Sequence, residues 1–205
     1  MHLQLNSSYV THLSPSLVSI NPHVSCLAEQ AKILVAEAEE NNLADTKWVR
    51  WHTCGLCEQE HHGVVRCALA WACWKTYLGR PEAEQLYQFR SMAMQQLGNG
   101  LALAEHYEDA LSVREAEVAT KRRVGAPVDH ILAALCNLAG TYHSLKQHDK
   151  SLAMFRAAYD NAIAELGPDH ALSINSALNL SSILVDTKCS REAQSLLRKV
   201  APLAR

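Results

Sequence analysis

The chain has 205 residues, and its 48% hydrophobic and 20% charged residues are typical of a soluble globular protein with one good core or a short repeat array. Its formal net charge of −2 gives no electrostatic reason to expect binding to nucleic acid or to an anionic membrane. There is no run of about 18 apolar residues and no basic start followed by an apolar stretch. We therefore expect neither a transmembrane helix nor a signal peptide.

The sequence contains seven cysteines, an odd number, without a secretory signal. This pattern favours free thiols or metal ligands in a reducing compartment over a disulfide framework. We therefore expect the protein to be cytoplasmic.

The first part of the chain divides into two predicted segments. Residues 1–23 are polar and lack hydrophobic periodicity, so they are predicted to be disordered. Residues 24–80 are predicted to form a helix from Val24 to about Asn41, a Cys/His-rich loop, and a second helix from Val64 to Leu78.

The loop carries the pattern Cys54-x2-Cys57-x4-His62-x4-Cys67. Side chains of these types can surround a tetrahedral Zn²⁺ at about 2.0–2.3 Å, and a closed set of four ligands is typical of a structural site. The pattern therefore predicts one structural Zn²⁺, which would fix an irregular loop ahead of the helices that follow.

Other assignments of the same residues stay open. Cys73, His52 or His61 could replace one of the four ligands, although Cys67 and Cys73 differ by about 120° around a helix and cannot easily bind one ion together. Alternatively, Cys67 and Cys73 are core residues and the loop thiols are free.

Residues 47–80 also suggest an alternative function, namely zinc-dependent binding of single-stranded nucleic acid. Such binding needs basic and aromatic side chains together. The segment supplies a few of each, which are Lys47, Trp48, Arg50, Trp51 and Arg66. Glu58 and Glu60 make the loop a poor partner for phosphates, so protein binding is favoured over this alternative.

From about residue 79 onwards, a glycine with a proline one or two residues after it recurs along the chain. The glycine stands where one helix would end, and the proline where the next would begin. Pairs of an amide residue and leucine recur at spacings of 41 and 42, and they are Gln96-Leu97, Asn137-Leu138 and Asn179-Leu180. Each period holds two helical stretches, which cannot bury their apolar stripes alone. The pattern predicts an all-α solenoid of antiparallel helix pairs with three repeats, over residues 81–125, 126–167 and 168–205.

The middle repeat resembles the 42-residue tetratricopeptide repeats of kinesin light chains. The similarity is carried by Asn137-Leu138-Ala139, Tyr142, Ser151, Phe155, Ala158 and Leu166-Gly167-Pro168-Asp169-His170. The resemblance implies that Leu138, Tyr142 and Phe155 fill the seam between two helices while the small residues permit close approach. It covers about 120 of the 205 residues and excludes residues 1–63.

The resemblance also implies a function. In this class the first helix of each repeat lines a concave groove that binds peptides or helices of other proteins. The groove positions carried over to this sequence are Gln95, Gln96, Asn99, Asn137, His143, Asn175 and Asn179. Amides offer both a donor and an acceptor, which suits the backbone of an extended peptide. We therefore expect a scaffold or adaptor whose partners are other proteins.

Catalysis is not expected, because no orienting acid or oxyanion loop can be placed beside a cysteine and a histidine. No glycine-rich phosphate loop is present either, since Gly98-Asn99-Gly100 lies within a predicted helix, where we expect it to loosen the packing. The last helix, from Arg191 to about Leu203, has no polar capping helix after it, which predicts self-association or a longer array.

Overall fold

The computed structural model describes residues 22–41, 43, 47–78 and 84–202, apart from the side chains of residues 22 and 84–88. This part of the chain is helical, and its β-pairing is limited to an isolated bridge between Thr53 and Glu60. Its helices are α1 (Pro22–Glu40), a 3-10 helix (Trp48–Trp51), α2 (Gly63–Tyr77), α3 (Glu84–Leu103), α4 (Tyr107–Arg123), α5 (Val128–Ser144), α6 (His148–Leu166), α7 (Ala171–Asp186) and α8 (Ser190–Val200).

The predicted all-α class is confirmed, and each of the three predicted repeats holds one helix pair, namely α3 with α4, α5 with α6 and α7 with α8. Of the segment predicted to be disordered, residues 22 and 23 belong to α1, and the rest lies outside the described residues. The chain divides into two compact units, residues 1–116 and 117–205, and α4 begins in the first unit and ends in the second.

The core of the first unit is formed by α1, the 3-10 helix, α2, α3 and the start of α4, with α2 and α3 packed most extensively. Trp48, Tyr77 and Phe89 form an aromatic cluster whose ring centroids lie 5.3 to 6.0 Å apart. The hydroxyl of Tyr77 also donates a 3.1 Å hydrogen bond to Oε1 of Glu39 in α1. This aromatic cluster attaches the 3-10 helix to α2 and α3, and the hydrogen bond links α1 to the same core.

The glycines within α3 tighten the first unit, and the expectation that they loosen it is wrong. A Cβ atom at Gly100 would lie 2.6 Å from Cβ of Ala70 and 3.2 Å from Cα of Cys67, so α2 and α3 approach each other closely there. A Cβ atom at Gly98 would lie 3.2 Å from Cγ and Nε of Arg114. Both positions lack a side chain because a neighbouring helix occupies the space.

In the second unit α5 packs against α6, α6 against α7, and α7 against α8. The small residues Ala139, Ser151 and Ala158 are fully buried, as expected for close approach between helices. The hydroxyl of Ser151 donates a 2.8 Å hydrogen bond to the carbonyl of Ala139, and the hydroxyl of Ser173 donates one of 3.1 Å to the carbonyl of Ala162. Buried serines therefore join α5 to α6 and α6 to α7.

The first helix of each repeat ends in the same way, with one residue in the left-handed region. Glu105, Lys146 and Lys188 have φ values of 63°, 62° and 64°, and they recur at spacings of 41 and 42 in the sequence. After Lys146, the amide of Gln147 donates to the carbonyl of Tyr142, and equivalent bonds follow Glu105 and Lys188. This is a Schellman motif without its usual glycine.

At the end of the chain, α8 packs against α7. Leu196 and Val200 are buried in the core of the second unit, whereas Leu197 is 39% exposed. Leu196 and Val200 are therefore covered within the chain, and self-association through α8 stays a prediction.

Candidate functional site

One open surface of the second unit lies along the first helices of the second and third repeats. On α7, Asn175, Leu178, Asn179 and Ser182 are exposed at spacings of three and four, so they share one face of the helix. Leu178 is 43% exposed, which makes it an apolar residue among polar ones. The surface, which we call the α5/α7 face, comprises Asn137, Gly140 and His143 of α5 with Asn175, Leu178, Asn179, Ser182 and Asp186 of α7.

Side-chain contacts hold α5 and α7 beside each other along this face. Nε2 of His143 lies 3.2 Å from Oδ2 of Asp186, and Sγ of Cys136 lies 3.5 Å from Oγ of Ser176. The side chain of Asn179 also hydrogen-bonds Cys136. Burial raises the pKa of the Cys136 thiol, and the two hydrogen bonds oppose that shift. The thiol is therefore a packed, neutral group at the base of the face.

The α5 side of the face is open at Gly140. A Cβ atom at Gly140 would meet nothing within 4 Å, so the space beside this residue is open. Asn137, one turn earlier, is half-buried, and His143 is half-buried one turn later. The face therefore combines amide groups, a short apolar patch and an open position on the backbone of α5.

His143 also contacts His148 at the start of α6. Their Nδ1 atoms are 3.2 Å apart, and the ring centroids are 5.1 Å apart. Only one of the two Nδ1 atoms can donate in this contact, so His148, His143 and Asp186 form a chain of hydrogen-bonding groups at the end of the face. The repeat pattern predicts His143 in the groove but does not predict its contact with His148.

Two of the three predicted groove residues of the first unit, Gln96 and Asn99, have intramolecular partners instead. Gln96 is 9% exposed, and its Oε1 accepts a hydrogen bond of 2.9 Å from Nη2 of Arg66. Oδ1 of Asn99 accepts one of 3.1 Å from Nη2 of Arg114. Gln95 is half-buried. Of the seven predicted groove residues, Asn137, His143, Asn175 and Asn179 are the ones on the α5/α7 face.

The Cys/His-rich loop forms a short hairpin between the 3-10 helix and α2. The amide of His61 donates to the carbonyl of His52 at 2.8 Å, and the amide of Cys54 donates to the carbonyl of Gln59 at 2.9 Å. The amide of Glu58 donates to the carbonyl of Cys54 at 3.1 Å and closes the turn. Cys54 and Cys57 therefore lie together at the closed end of the hairpin.

The four predicted zinc ligands lie in different environments. Cys57 and His62 are exposed and Cys54 is half-buried, whereas Cys67 is buried in the core of the first unit together with Cys73. Among the described residues, no three His, Cys, Asp or Glu side chains are grouped so that they could hold a metal ion. Zinc binding by Cys54, Cys57, His62 and Cys67 stays a prediction, and it would require these side chains to move together.

The thiols differ in acidity for physical reasons. Hydrogen bonds from the backbone N–H groups of Cys57 and Leu56 lower the pKa of Cys54, and the thiol of Cys57 and the charge of Arg50 act in the same direction. Burial raises the pKa of Cys67 and raises that of Cys73 well above its usual value. The hairpin therefore holds the more acidic of these thiols.

The nucleic-acid alternative gains no support from the structure. Trp48, Trp51 and Arg66 are buried, so an RNA or DNA strand cannot contact these two aromatic rings or this guanidinium. Lys47 is exposed and Arg50 is half-buried, and both flank a hairpin whose Glu58 and Glu60 are exposed.

Comparison with known proteins identifies the class. Residues 130–205 match the tetratricopeptide repeat family, and this part of the chain is a tetratricopeptide repeat array. No curated protein matches the chain in sequence. Kinesin-light-chain-like repeats are among the similar solved structures, in agreement with the resemblance seen in the sequence.

Three solved structures show the fold. The apo form of RapI is 13% identical with a TM-score of 0.58, and the alignment covers 92% of this chain but 59% of RapI, less than two thirds of its length. BtubC (BKLC) from P. vanneervenii is 16% identical with a TM-score of 0.56, covering 90% of this chain and 74% of that one. The TPR-like kinesin light chain repeats of Podosopora anserina are 17% identical with a TM-score of 0.53, covering 89% and 97%.

Within the part of the chain that the structure describes, every helix is too short or too polar to cross a bilayer.

Proposed function

We propose that this protein is a non-catalytic scaffold that binds an extended peptide segment of another protein on the α5/α7 face. The tetratricopeptide fold is a protein-interaction fold in general, and the peptide and its place of binding are the specific parts of the proposal. The observation that carries it is the row of exposed amide residues on α7 around the exposed Leu178.

The chemistry of this row suits an extended backbone. A peptide in extended conformation presents N–H and C=O groups that need partners once water is displaced. Asn175 and Asn179 are both exposed and lie one turn apart on α7. Each amide can donate and accept at once, so the pair can bind one peptide unit without a matching charge.

Leu178 and Asp186 add selectivity to the proposed surface. Leu178 lies between the two asparagines in sequence and offers an apolar contact for one side chain of the peptide. Asp186 is exposed at the end of α7 and disfavours an acidic residue there. The face bears no lysine or arginine, so a terminal carboxylate is not the expected anchor. The preferred ligand is an internal segment with an apolar residue and a neutral or basic flank.

The test begins with selection of peptides from a random phage-displayed library on the immobilised protein. The dissociation constants of synthetic, fluorescently labelled versions of the selected peptides are then measured by anisotropy. Asn175→Ala combined with Asn179→Ala should weaken binding about tenfold or more, because each lost amide contact typically contributes about 1 kcal/mol.

The matched control is Asn161→Ala, which removes an exposed asparagine from α6. This variant should bind the selected peptides as the parent does. Equal affinity of the parent and the Asn175→Ala/Asn179→Ala variant for every selected peptide would reject the α5/α7 face as the binding surface.

We also propose that the protein works in a reducing compartment, the cytoplasm. All seven cysteines are free thiols in the structure, including Cys26 and Cys57, which are exposed. Exposed free thiols are stable where glutathione keeps them reduced.

A further inference from the structure

The hairpin between the 3-10 helix and α2 carries a feature that peptide binding does not use. Cys54 and Cys57 lie at its closed end, where a backbone N–H of Leu56 points at Sγ of Cys54 over 3.5 Å. The hairpin is fixed at its base by the bridge between Thr53 and Glu60 and by the 2.8 Å bond from His61 to His52. The backbone that carries both cysteines is therefore held in one turn before any ligand arrives.

We propose that this turn is one half of a zinc site, and that a second copy of the chain completes the site with the same two thiolates. The site would hold one Zn²⁺ in a tetrahedron of four sulfurs, two from each copy. Four cysteine ligands make a closed structural site, so the ion would join two chains and have no open position for catalysis.

The first reason for a site shared by two copies is the number of ligands that one chain supplies. Structural zinc needs four protein ligands, and the turn supplies two. No group of three or more His, Cys, Asp or Glu side chains among the described residues is placed to hold a metal. Cys67 is 1% exposed and packed in the core of the first unit, so recruiting it would require disrupting that core. The remaining two ligands are therefore expected from outside the chain.

The second reason for a zinc site at this turn is the set of groups that surround the two thiols. Backbone N–H groups that donate to a cysteine sulfur favour the thiolate, and such donors are the usual outer partners of metal-bound thiolates. Arg50 lies beside the turn, with its Nη1 atom 3.3 Å from the carbonyl of Cys54. One Zn²⁺ with four thiolates carries a net charge of −2, and one Arg50 from each copy offsets it.

Exposure at the turn favours a second copy as the source of the other ligands. Leu56, between the two cysteines, is 98% exposed, and Cys57 is exposed beside it. Two turns that meet around a two-fold axis would place both Leu56 side chains in the contact, because a two-fold interface uses the same patch on each copy. Glu58 and Glu60 are also exposed there, so two metal-free turns repel each other. Association through this surface is therefore expected to depend on the metal.

The experiment uses the full chain, purified under reducing conditions and freed of metal with a chelator. Zn²⁺ is then added at equal molarity, unbound ion is removed, and zinc content and mass are measured by elemental mass spectrometry and sedimentation equilibrium. We expect one Zn²⁺ for every two chains and a doubling of mass that a chelator reverses. Replacement of the zinc by Co²⁺ should give the absorption spectrum of a tetrahedral four-thiolate site.

Three variants test whether these thiols and this turn form the site. Cys57→Ser removes one ligand from each copy and should abolish both zinc uptake and mass doubling, while far-UV circular dichroism shows that the helices remain. Cys26→Ser removes another exposed thiol, on α1, and should change neither result. Leu56→Asp keeps all the ligands but should weaken the zinc-dependent dimer.

Three results would overturn the proposal. One Zn²⁺ bound to each monomer would assign the ion to ligands within one chain, as the Cys54, Cys57, His62 and Cys67 pattern predicts. No retained zinc would exclude a metal site at the turn. A dimer that persists with chelator and in Cys57→Ser would place self-association on another surface, such as α8.

Discussion

Between α2 and α3, Nη2 of Arg66 donates a 2.9 Å hydrogen bond to Oε1 of Gln96, and both side chains are buried. The Nε and Nη1 atoms of Arg66 have no partner among the described residues. Burial accordingly lowers the pKa of this guanidinium. The amide of Gln96 is thus the hydrogen-bonding group that the structure provides for a cation inside the first unit.

Replacement of Gln96 by leucine should lower the free energy of unfolding by about 1.5–3 kcal/mol, because it leaves a buried charged donor without its acceptor. The double variant Arg66→Met/Gln96→Leu should recover most of the loss, since apolar residues of similar size often replace buried polar pairs without penalty. Urea denaturation followed by tryptophan fluorescence measures both. A double variant as unstable as Gln96→Leu would show that the loss arises from packing and not from the unpaired guanidinium.

Two helical glycines should respond in opposite directions to alanine. Gly100→Ala places a Cβ atom 2.6 Å from Cβ of Ala70, so α2 and α3 must separate, and we expect destabilisation of about 1–3 kcal/mol. Gly140→Ala meets nothing within 4 Å and should stabilise the protein by about 0.5–1 kcal/mol through its higher helix propensity. Thermal and urea unfolding of the two variants test this contrast, and a shift in the same direction for both would contradict it.

Glycine should stabilise the protein relative to lysine at the residue that ends the first helix of a repeat. Lys146 and Lys188 hold φ values near +60°, a conformation that disfavours residues with a Cβ atom by about 1 kcal/mol. Lys188→Gly should therefore raise the free energy of unfolding by a few tenths to about 1 kcal/mol. Lys188→Ala removes the same charge but keeps the Cβ atom, so it should give no such gain. The prediction fails if alanine stabilises as much as glycine does.

The cysteines should differ in their rates of alkylation by iodoacetamide. Cys54 has a lowered pKa and Cys57 is exposed, whereas burial raises the pKa of Cys67, Cys73 and Cys136. A lowered pKa keeps more of Cys54 in the reactive thiolate form as the pH falls towards neutrality. Peptide mass spectrometry over a series of pH values should find the hairpin thiols modified before the three buried ones. Earlier modification of Cys73 would indicate that the first unit opens readily.

The helices could be predicted from the sequence because their signals are local. A glycine with a proline one or two residues after it marks where one helix ends and the next begins. The spacing of the amide–leucine pairs indicates the length of the repeat. Gly167, for example, ends α6 with a φ of 85°, as its position before Pro168 indicates. The left-handed conformation of Glu105, Lys146 and Lys188 has no such signal, because glutamate and lysine are ordinary helix residues.

The environment of each groove residue could not be predicted in the same way. Gln96, Asn137 and Asn179 occupy one position of the repeat, yet Gln96 is buried by Arg66 while Asn179 is exposed. A periodic pattern identifies the face of a helix but not the neighbour that covers it. Arg66 precedes Gln96 by 30 residues, in a segment outside the repeats, so the repeat pattern contains no information about the contact.

The aromatic cluster of Trp48, Tyr77 and Phe89 belongs to a core that also holds Trp51, Trp71 and Trp74, which completes the four tryptophans of the chain. The sequence of the second unit contains no tryptophan. Intrinsic tryptophan emission therefore reports on the first unit alone, and the second unit can unfold without changing it. Comparison of that emission with circular dichroism, which senses every helix, would reveal whether the two halves unfold as one.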